Sequence, residues 1–330
     1  MTRTRAICLL PLLMTVGCQF TQDLGGPGQA ALIGAGDGGG GAGGGAGSVT
    51  VLVDHLDYPR GLWVRDGKVY FTEAASTDTS YGGISRLSSY DLATNVRTTL
   101  VENPTNHDAV VVASDGNIYL GGWSDTIPGG PGHVSVVYAG TIIEWPVVDL
   151  EAGVGDMFID DADDIYVAAV GVVKGPIYRL AAGDYAHPTV FRALETSAMT
   201  SSGLEFYVSK LGHQTRISRF SVLGSVDHDW MPEDPTWLMT TSLTAHDDYL
   251  FYGGYGAAET YAPNSSHAGP GEIRRVDLTT GEHRTTVAGG LAEVNNVRVD
   301  PATGLLYVLD AGTTEGEYHD GRLLVVDPGG

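Results

Sequence analysis

The sequence predicts an all-β fold: a six-bladed β-propeller of four-stranded antiparallel blades. Two kinds of observation carry this prediction. A hairpin motif recurs six times at an average spacing of about 47 residues, and a second short strand follows each copy. One further strand precedes the first copy, while the last copy stops after its third strand. Units of 40 to 50 residues with four strands each are typical of propeller blades.

The hairpin motif is a β-rich run, a tight polar turn and a second β-rich run centred on an aromatic residue. Its clearest copy is GLWVRDGKVYFTEA at residues 61–74. A polar turn between two such runs indicates a β-hairpin, which supplies the first two strands of each blade. The central aromatic residues of the six copies are Tyr70, Tyr119, Tyr166, Tyr207, Phe251 and Tyr307.

A short strand with apolar residues two or three apart follows each hairpin. It matches closely at residues 84–87, 177–180, 217–220 and 273–276, and more loosely at 142–145 and 323–326. Apolar residues that alternate with polar ones predict a strand with one buried face. We therefore expect the third strand of each blade here, which places that of the second blade at residues 142–145.

The ends of the repeat region predict how the ring closes. Residues 49–53 (VTVLV) form a lone strand ahead of the first hairpin, and the last unit ends at Asp327. If the lone strand supplies the missing fourth strand of the last blade, the ring is closed and no open sheet edge remains. The propeller is then expected to span residues 49–330.

The first residues are typical of a processing segment. Arg3 and Arg5 precede an apolar run at residues 6–16, which is too short to span a bilayer. The sequence TVGC at residues 15–18 resembles the lipobox of bacterial lipoproteins. The resemblance implies a signal peptide at residues 1–17 and a lipid on Cys18; the alternative is an ordinary signal peptide with Cys18 near the cut.

A glycine-rich segment separates Cys18 from the repeats. Ten of the fourteen residues at 34–47 are glycine, so residues 18–48 are expected to form a flexible tether. Residues 24–48 would have a root-mean-square reach of about 28 Å. We therefore expect an exported protein that a lipid anchor holds in the cell envelope, at the outer membrane or the cell surface.

The charge balance excludes one class of partner. The formal net charge is −22, and only 18 of 330 residues are Lys or Arg. Nucleic acids are bound by neutralising their phosphates with basic side chains, so a nucleic-acid partner is not expected. We expect a monomer whose partner is a small molecule or another protein.

Residues 59–74 and their copies resemble the repeats of the NHL and gluconolactonase-like propellers, a group that also includes streptogramin lyases. The resemblance covers residues 49–330 and implies the fold. Its members include metal-dependent lactonases, lyases and interaction domains. Two functions stay open: binding of a ligand or partner at the mouth of the channel, or metal-dependent hydrolysis of the lactonase type or a related lyase reaction.

Polar residues begin the innermost strands of several blades, where they would surround one mouth of the channel. Acidic and amide oxygens that converge on one axis suit a divalent cation such as Ca²⁺. The resemblance implies Asp108, Asp156 and Asn296 as its ligands; the alternative is that they cap strands and hydrogen-bond to loops. The remaining mouth candidates are Arg60, His107, Asn295, Glu73 and Asp310.

Two further features belong to this mouth. Glu73 and Asp310 occupy equivalent positions in neighbouring blades. Two nearby carboxylates can form an acid/base pair or share a cation, and the alternative is that each braces the next loop. Two long stretches, residues 121–139 and 252–270, are predicted as loops that hold a small or sugar-like ligand or simply cover the channel. They carry Trp123, His133, Tyr255 and Tyr261. His246, Asp247 and Asp248 are predicted to form a turn on the opposite face.

Overall fold

The structure is a computed structural model. It describes residues 47–74, 85–103, 106–123, 131–138, 144–170, 176–194, 196–209, 216–231, 237–256, 271–312 and 320–329. The regular elements in these ranges are twenty-four strands. None of the described residues forms a helix long and apolar enough to cross a membrane.

The strands follow one another in chain order as β1 (Val49–Leu56), β2 (Pro59–Arg65), β3 (Lys68–Ala74), β4 (Ser85–Asp91), β5 (Val96–Asn103), β6 (Asn106–Val112), β7 (Ile118–Trp123), β8 (Gly132–Val137), β9 (Glu144–Leu150), β10 (Gly153–Ile159), β11 (Ile165–Val170), β12 (Ile177–Ala181), β13 (Asp184–Arg192), β14 (Ala198–Ser202), β15 (Glu205–Ser209), β16 (Ile217–Ser221), β17 (Val226–Met231), β18 (Trp237–His246), β19 (Tyr249–Gly256), β20 (Gly271–Asp277), β21 (Thr285–Leu291), β22 (Val294–Val299), β23 (Leu306–Asp310) and β24 (Gly321–Val326).

These strands form six four-stranded antiparallel sheets, which confirms the predicted fold. Blades one to five consist of β2–β5, β6–β9, β10–β13, β14–β17 and β18–β21, and blade six of β22, β23, β24 and β1. The first strand of each blade contacts the first strand of the next, and β22 returns to contact β2. The first strands therefore line the centre of a closed ring.

The ring closes as the ends of the repeat region predict. Strand β1 pairs antiparallel with β24, with Val49 opposite Val326 and Val51 opposite Leu324. The Asp327 amide donates a further hydrogen bond to the Ser48 carbonyl at 3.1 Å. The N-terminal strand thus becomes the outermost strand of blade six, and the inner strand of that blade packs against blade one.

The aromatic residue of each hairpin packs against the neighbouring blade. Five of the six are buried, and Tyr70 of blade one is half-buried. Tyr119 packs against Tyr185 and Tyr207 against Trp230, each with ring centroids 4.8 Å apart. The repeated aromatic residue therefore fills the space between neighbouring sheets, which explains its regular recurrence.

The prediction for the third strand of blade two was wrong. That strand is β8, whereas Glu144 and Trp145 belong to the fourth strand, β9. In β8, buried Val134 and Val136 alternate with His133 and Ser135, so the strand has the expected pattern. Glycine and proline precede β8, and such residues are typical of a loop, so the sequence predicts a loop there. His133 lies on this strand and not in a loop.

Antiparallel order gives the ring two different faces. The mouth face is where the first strand of each blade begins and where the second-to-third-strand connections lie. The turn face carries the first-to-second-strand and third-to-fourth-strand turns. The predicted turn of blade five is confirmed on the turn face, since β18 ends at His246, Asp247 has a φ of 50° and β19 begins at Tyr249.

Candidate functional site

The structure places most of the predicted site residues on the mouth face. Arg60 lies at the start of β2, His107 and Asp108 at the start of β6, and Asn295 and Asn296 at the start of β22. Asp156 lies farther along β10. The hydrogen bonds described below connect these side chains to neighbouring blades.

A buried ion pair crosses the ring beneath this mouth. An Arg298 guanidinium nitrogen of blade six donates to an Asp156 carboxylate oxygen of blade three at 2.5 Å. Blades three and six lie opposite each other in a six-bladed ring. The two side chains are 7% and 4% exposed, so the pair is shielded from solvent. We call this pair the crossbar.

Further hydrogen bonds hold both the carboxylate and the guanidinium of the crossbar. The Asp156 carboxylate accepts backbone hydrogen bonds from Met157 at 2.9 Å and Met199 at 3.0 Å. Arg298 donates to the Ser242 hydroxyl at 2.8 Å and to the Leu243 carbonyl at 3.0 Å. Burial raises the pKa of Asp156, while Arg298 and the two amides act in the opposite direction. The crossbar thereby joins blades three, four, five and six.

Aromatic side chains fill the ring around the crossbar. Trp63 of blade one and Phe158 of blade three meet edge to face with their ring centroids 6.3 Å apart. The Arg298 guanidinium carbon lies 5.9 Å from the centroid of the Trp63 ring. The crossbar and these aromatic rings therefore occupy the centre of the ring beneath the mouth residues. The sequence prediction does not include Arg298, although a lone arginine between two valines in an inner strand is a usable signal.

One wall of the mouth is an ion pair supported by an indole. Arg60 of blade one donates to one Asp108 oxygen at 2.5 Å, and the Trp123 indole N–H donates to the other at 2.6 Å. The Arg60 guanidinium carbon also lies 4.8 Å from the centroid of the Tyr58 ring. Burial lowers the pKa of Arg60, but the charges of Asp108 and Tyr58 raise it by more, so Arg60 remains protonated.

Trp123 is held against the backbone of blade three. A Cβ atom on Gly153 would approach the Trp123 ring to within 2.4 Å, so the indole needs a glycine at this position. Trp123 itself stays half-buried and keeps part of its surface at the mouth. Beside it, His107 and His133 meet edge to face with ring centroids 5.1 Å apart. Trp123 and His133 thus lie at the mouth ends of the neighbouring strands β7 and β8, and their role in ligand binding stays a prediction.

The two asparagines connect blade six to its neighbours. The Asn295 side-chain amide donates to the Pro59 carbonyl at 2.8 Å, and that of Asn296 to the Arg60 carbonyl at 3.1 Å. The Asn296 side-chain oxygen accepts from the Ser242 hydroxyl at 2.9 Å. Both residues therefore hold the start of β2 in place, as the strand-capping alternative expects.

Glu73 and Asp310 each brace a loop. Glu73 accepts hydrogen bonds from the Asp57 amide and the Ser88 hydroxyl and pairs with Arg97. Asp310 pairs with Arg322 and accepts the amides of Ala292, Glu293 and Gly312. Both carboxylates are almost fully buried. Their arginine partners and backbone donors account for both, so this geometry favours the bracing role over an acid/base pair.

The contacts of the predicted metal ligands show whether they fit a cation. Both oxygens of Asp108, both oxygens of Asp156 and the side-chain oxygen of Asn296 accept hydrogen bonds from protein donors. A cation would have to displace two arginines from their carboxylates. Within the described ranges, no three His, Cys, Asp or Glu side chains are grouped to hold a metal. The arrangement therefore does not fit a divalent cation, and the metal site stays a prediction.

Three of the predicted site residues receive no structural description of their side chains. Cys18 and Tyr261 lie outside the described residues. Tyr255 belongs to β19, but its side chain is not described. The second-to-third-strand connection of blade five, residues 257–270, also lies outside the described residues. The structure therefore characterises the mouth from the sides of blades one, two, three and six.

Comparison with known proteins shows the fold and leaves the family open. No protein-family model matches the chain, and no curated protein is similar to it in sequence. A gluconolactonase from Xanthomonas campestris is similar in structure with a TM-score of 0.60 and 12% identity, over 85% of this chain and 89% of that one. A chain of a nidogen–laminin complex gives 0.51 and 10%, over 77% and 86%. The hydrazine synthase of Kuenenia stuttgartiensis gives 0.53 and 11%, over 77% of each chain. At these identities the likeness concerns the fold alone, and the chain has a propeller fold similar to that of a gluconolactonase.

Proposed function

We propose that the mouth of the ring binds a small, neutral, polyhydroxylated molecule without the help of a metal ion. The observation that carries this proposal is the wall formed by Arg60, Asp108 and Trp123 above the crossbar. It offers the half-buried indole of Trp123 beside charged hydrogen-bonding groups, directly above a buried ion pair. Concave sites with an apolar surface and a few fixed polar groups are typical of small-molecule binding.

Charge balance at the mouth supports a neutral ligand. The positive charge of Arg60 is compensated by Asp108, and that of Arg298 by Asp156. An anionic ligand would therefore gain little net attraction from either arginine. Hydroxyl groups both donate and accept, so they suit a site in which Arg60, Asp108 and Asn295 provide both kinds of partner. The apolar face of a sugar ring would lie against Trp123.

Replacement of Trp123 by alanine is expected to weaken ligand binding about tenfold or more, because the aromatic surface is lost, a change of about 1.4 kcal/mol. Calorimetric titration of a panel of neutral hexoses and polyols, with hexonates as charged counterparts, checks this. Trp123→Phe keeps the ring and removes the indole N–H, so its loss should be smaller. Asp66→Asn on the turn face is the control and should leave the affinity unchanged.

The alternative function is metal-dependent hydrolysis of a lactone or a related lyase reaction, and the fold similarity to a gluconolactonase motivates it. Thermal unfolding with Ca²⁺, Mg²⁺, Mn²⁺ or Zn²⁺, together with elemental analysis, separates the two functions, because a bound cation stabilises the native state. We expect no cation-dependent stabilisation. Stabilisation that disappears in the Asp108→Ala/Asp156→Ala double variant, with stoichiometric metal, would contradict the metal-free proposal and support the alternative.

We propose further that the protein is exported and that a lipid on Cys18 anchors it to the cell envelope. The lipobox-like sequence before Cys18 and the glycine-rich segment behind it support this. In a Gram-negative host, Gln19 in place of aspartate favours the outer membrane or the surface. Wild-type protein should fractionate with membranes, and Cys18→Ala should release most of it. An unchanged membrane fraction in the variant would refute the anchor.

A further inference from the structure

The turn face of blade four differs from that of the other five blades. Each of their first-to-second-strand turns carries at least one aspartate, but the turn of blade four carries Gly203 and Leu204. Leu204 is 77% exposed. The third-to-fourth-strand turn of the same blade adds Val222 and Leu223, which are 42% and 97% exposed. We call Leu204, Val222 and Leu223 the blade-four patch.

The patch is continuous and rigidly held. Glu205 pairs with Ser221 across strands β15 and β16. Leu204 precedes Glu205 and Val222 follows Ser221, so the two side chains lie at the same end of the ladder. A guanidinium nitrogen of Arg192 donates to the carbonyls of Ser221 at 3.1 Å, Val222 at 3.3 Å and Gly224 at 2.7 Å. These bonds fix the turn that presents Leu223. An ordered apolar protrusion on an acidic face indicates an interaction surface.

The N-terminal segment leaves the ring on this same face. Val49 is paired with Val326 at the turn-face end of β24, and the Gly47 amide donates to the Val287 carbonyl at 3.0 Å. Gly47 therefore lies on the turn face and not at the mouth. A lipid on Cys18, joined to Gly47 through the predicted tether, would bring the turn face close to the bilayer and leave the mouth directed outward.

We infer that the blade-four patch docks onto the surface of a lipid bilayer with neutral headgroups. Two exposed leucines and a valine at one corner would enter the boundary between headgroups and acyl chains. The flanking turns carry Asp161 in blade three and Asp247 and Asp248 in blade five, all exposed. These charges disfavour anionic lipids, so attraction would come from apolar burial and depend little on salt. The inference goes beyond the function proposed for the mouth and uses the anchor only to bring the face near a bilayer.

The test uses a chain that begins at Gln19, so that neither an acyl chain on Cys18 nor the apolar run at residues 6–16 contributes to binding. We expect measurable partitioning into phosphatidylcholine vesicles at millimolar lipid, scored by flotation. The additional double change Leu204→Ser/Leu223→Ser should lower the partition coefficient about tenfold or more. Val96→Ser removes another exposed apolar side chain, 52% exposed on blade one, and should change little. Thermal unfolding of all variants confirms that the fold is retained, because all three side chains are exposed.

Several results would overturn the inference without affecting the proposed anchor. These are no partitioning of the chain that begins at Gln19, equal partitioning with and without the two leucines, or tighter binding to phosphatidylglycerol vesicles. Sedimentation velocity without vesicles measures the oligomeric state and so shows whether a second copy of the chain occupies the patch instead. A dimer that the two serine substitutions abolish would assign the patch to self-association. The proposed anchor is tested separately, by the cell fractionation of the wild-type chain and of Cys18→Ala described above.

Discussion

Replacing Arg298 with methionine is expected to lower the free energy of unfolding by about 3–5 kcal/mol, because the change leaves Asp156 buried with no charged partner. The side chain of Asp156 is 4% exposed, so water cannot compensate for the lost guanidinium. Ser242 and the Leu243 carbonyl lose hydrogen bonds from the same side chain. For a domain of this size, the melting temperature should fall by roughly 6–10 °C, measured by calorimetry.

Two further variants test whether the buried charge is the cause. Asp156→Leu combined with Arg298→Met removes both charges, so it should recover part of the stability that the single change loses. Asp227→Asn breaks an exposed ion pair with Arg219 and should cost no more than about 0.5 kcal/mol. A loss below about 1 kcal/mol for Arg298→Met would contradict the role given to the crossbar.

Deleting residues 1–54 is expected to cost about 4 kcal/mol, whereas deleting residues 1–46 should cost almost nothing. The longer deletion removes most of β1, including four half-buried apolar side chains worth about 1 kcal/mol each. Val49 and Val51 pack against the core beside blade five, and Leu52 and Val53 against the core beside blade one. Thermal and urea unfolding of the two truncated chains measure the difference.

The longer deletion also exposes the edge of β24, so it should aggregate at concentrations at which the shorter one stays soluble. Light scattering at matched concentrations checks this second consequence. Equal unfolding midpoints and equal solubility for the two truncations would show that β1 does not close the ring. The shorter deletion is the matched control, since it removes everything before Gly47 and keeps the pairing of Val49 with Val326.

The fold was predictable because each blade repeats the same local pattern. A polar turn between two β-rich runs specifies a hairpin by itself, and six such copies leave few alternatives to a propeller. The failure at blade two has an equally local cause. His133 and Ser135 alternate with buried valines in β8, but glycine and proline ahead of them mark a loop. The weaker alternation of Ile143 and Trp145 therefore predicts the third strand at the wrong position.

The site was predictable in position and much less so in its contacts. The start of each inner strand can be read from the repeat, so Arg60, His107 and Asp108 were placed at the mouth. Their partners come from other blades: Asp108 from 48 residues beyond Arg60, and Arg298 from 142 residues beyond Asp156. Whether a carboxylate binds a cation or pairs with an arginine depends on which blades the closed ring brings together. The local spacing of residues in the sequence does not predict these partners.

The pairing of β1 with β24 also makes the chain nearly circular. Ser48 and Asp327 are joined by a hydrogen bond, so a short linker between the two ends would complete a covalent loop. The chain could then be cut at the exposed turn of Asp247 and Asp248. The new ends would fall inside blade five, between its first and second strands, and blade six would become a continuous part of the chain. The propeller architecture therefore does not require the chain to begin with the outermost strand of blade six.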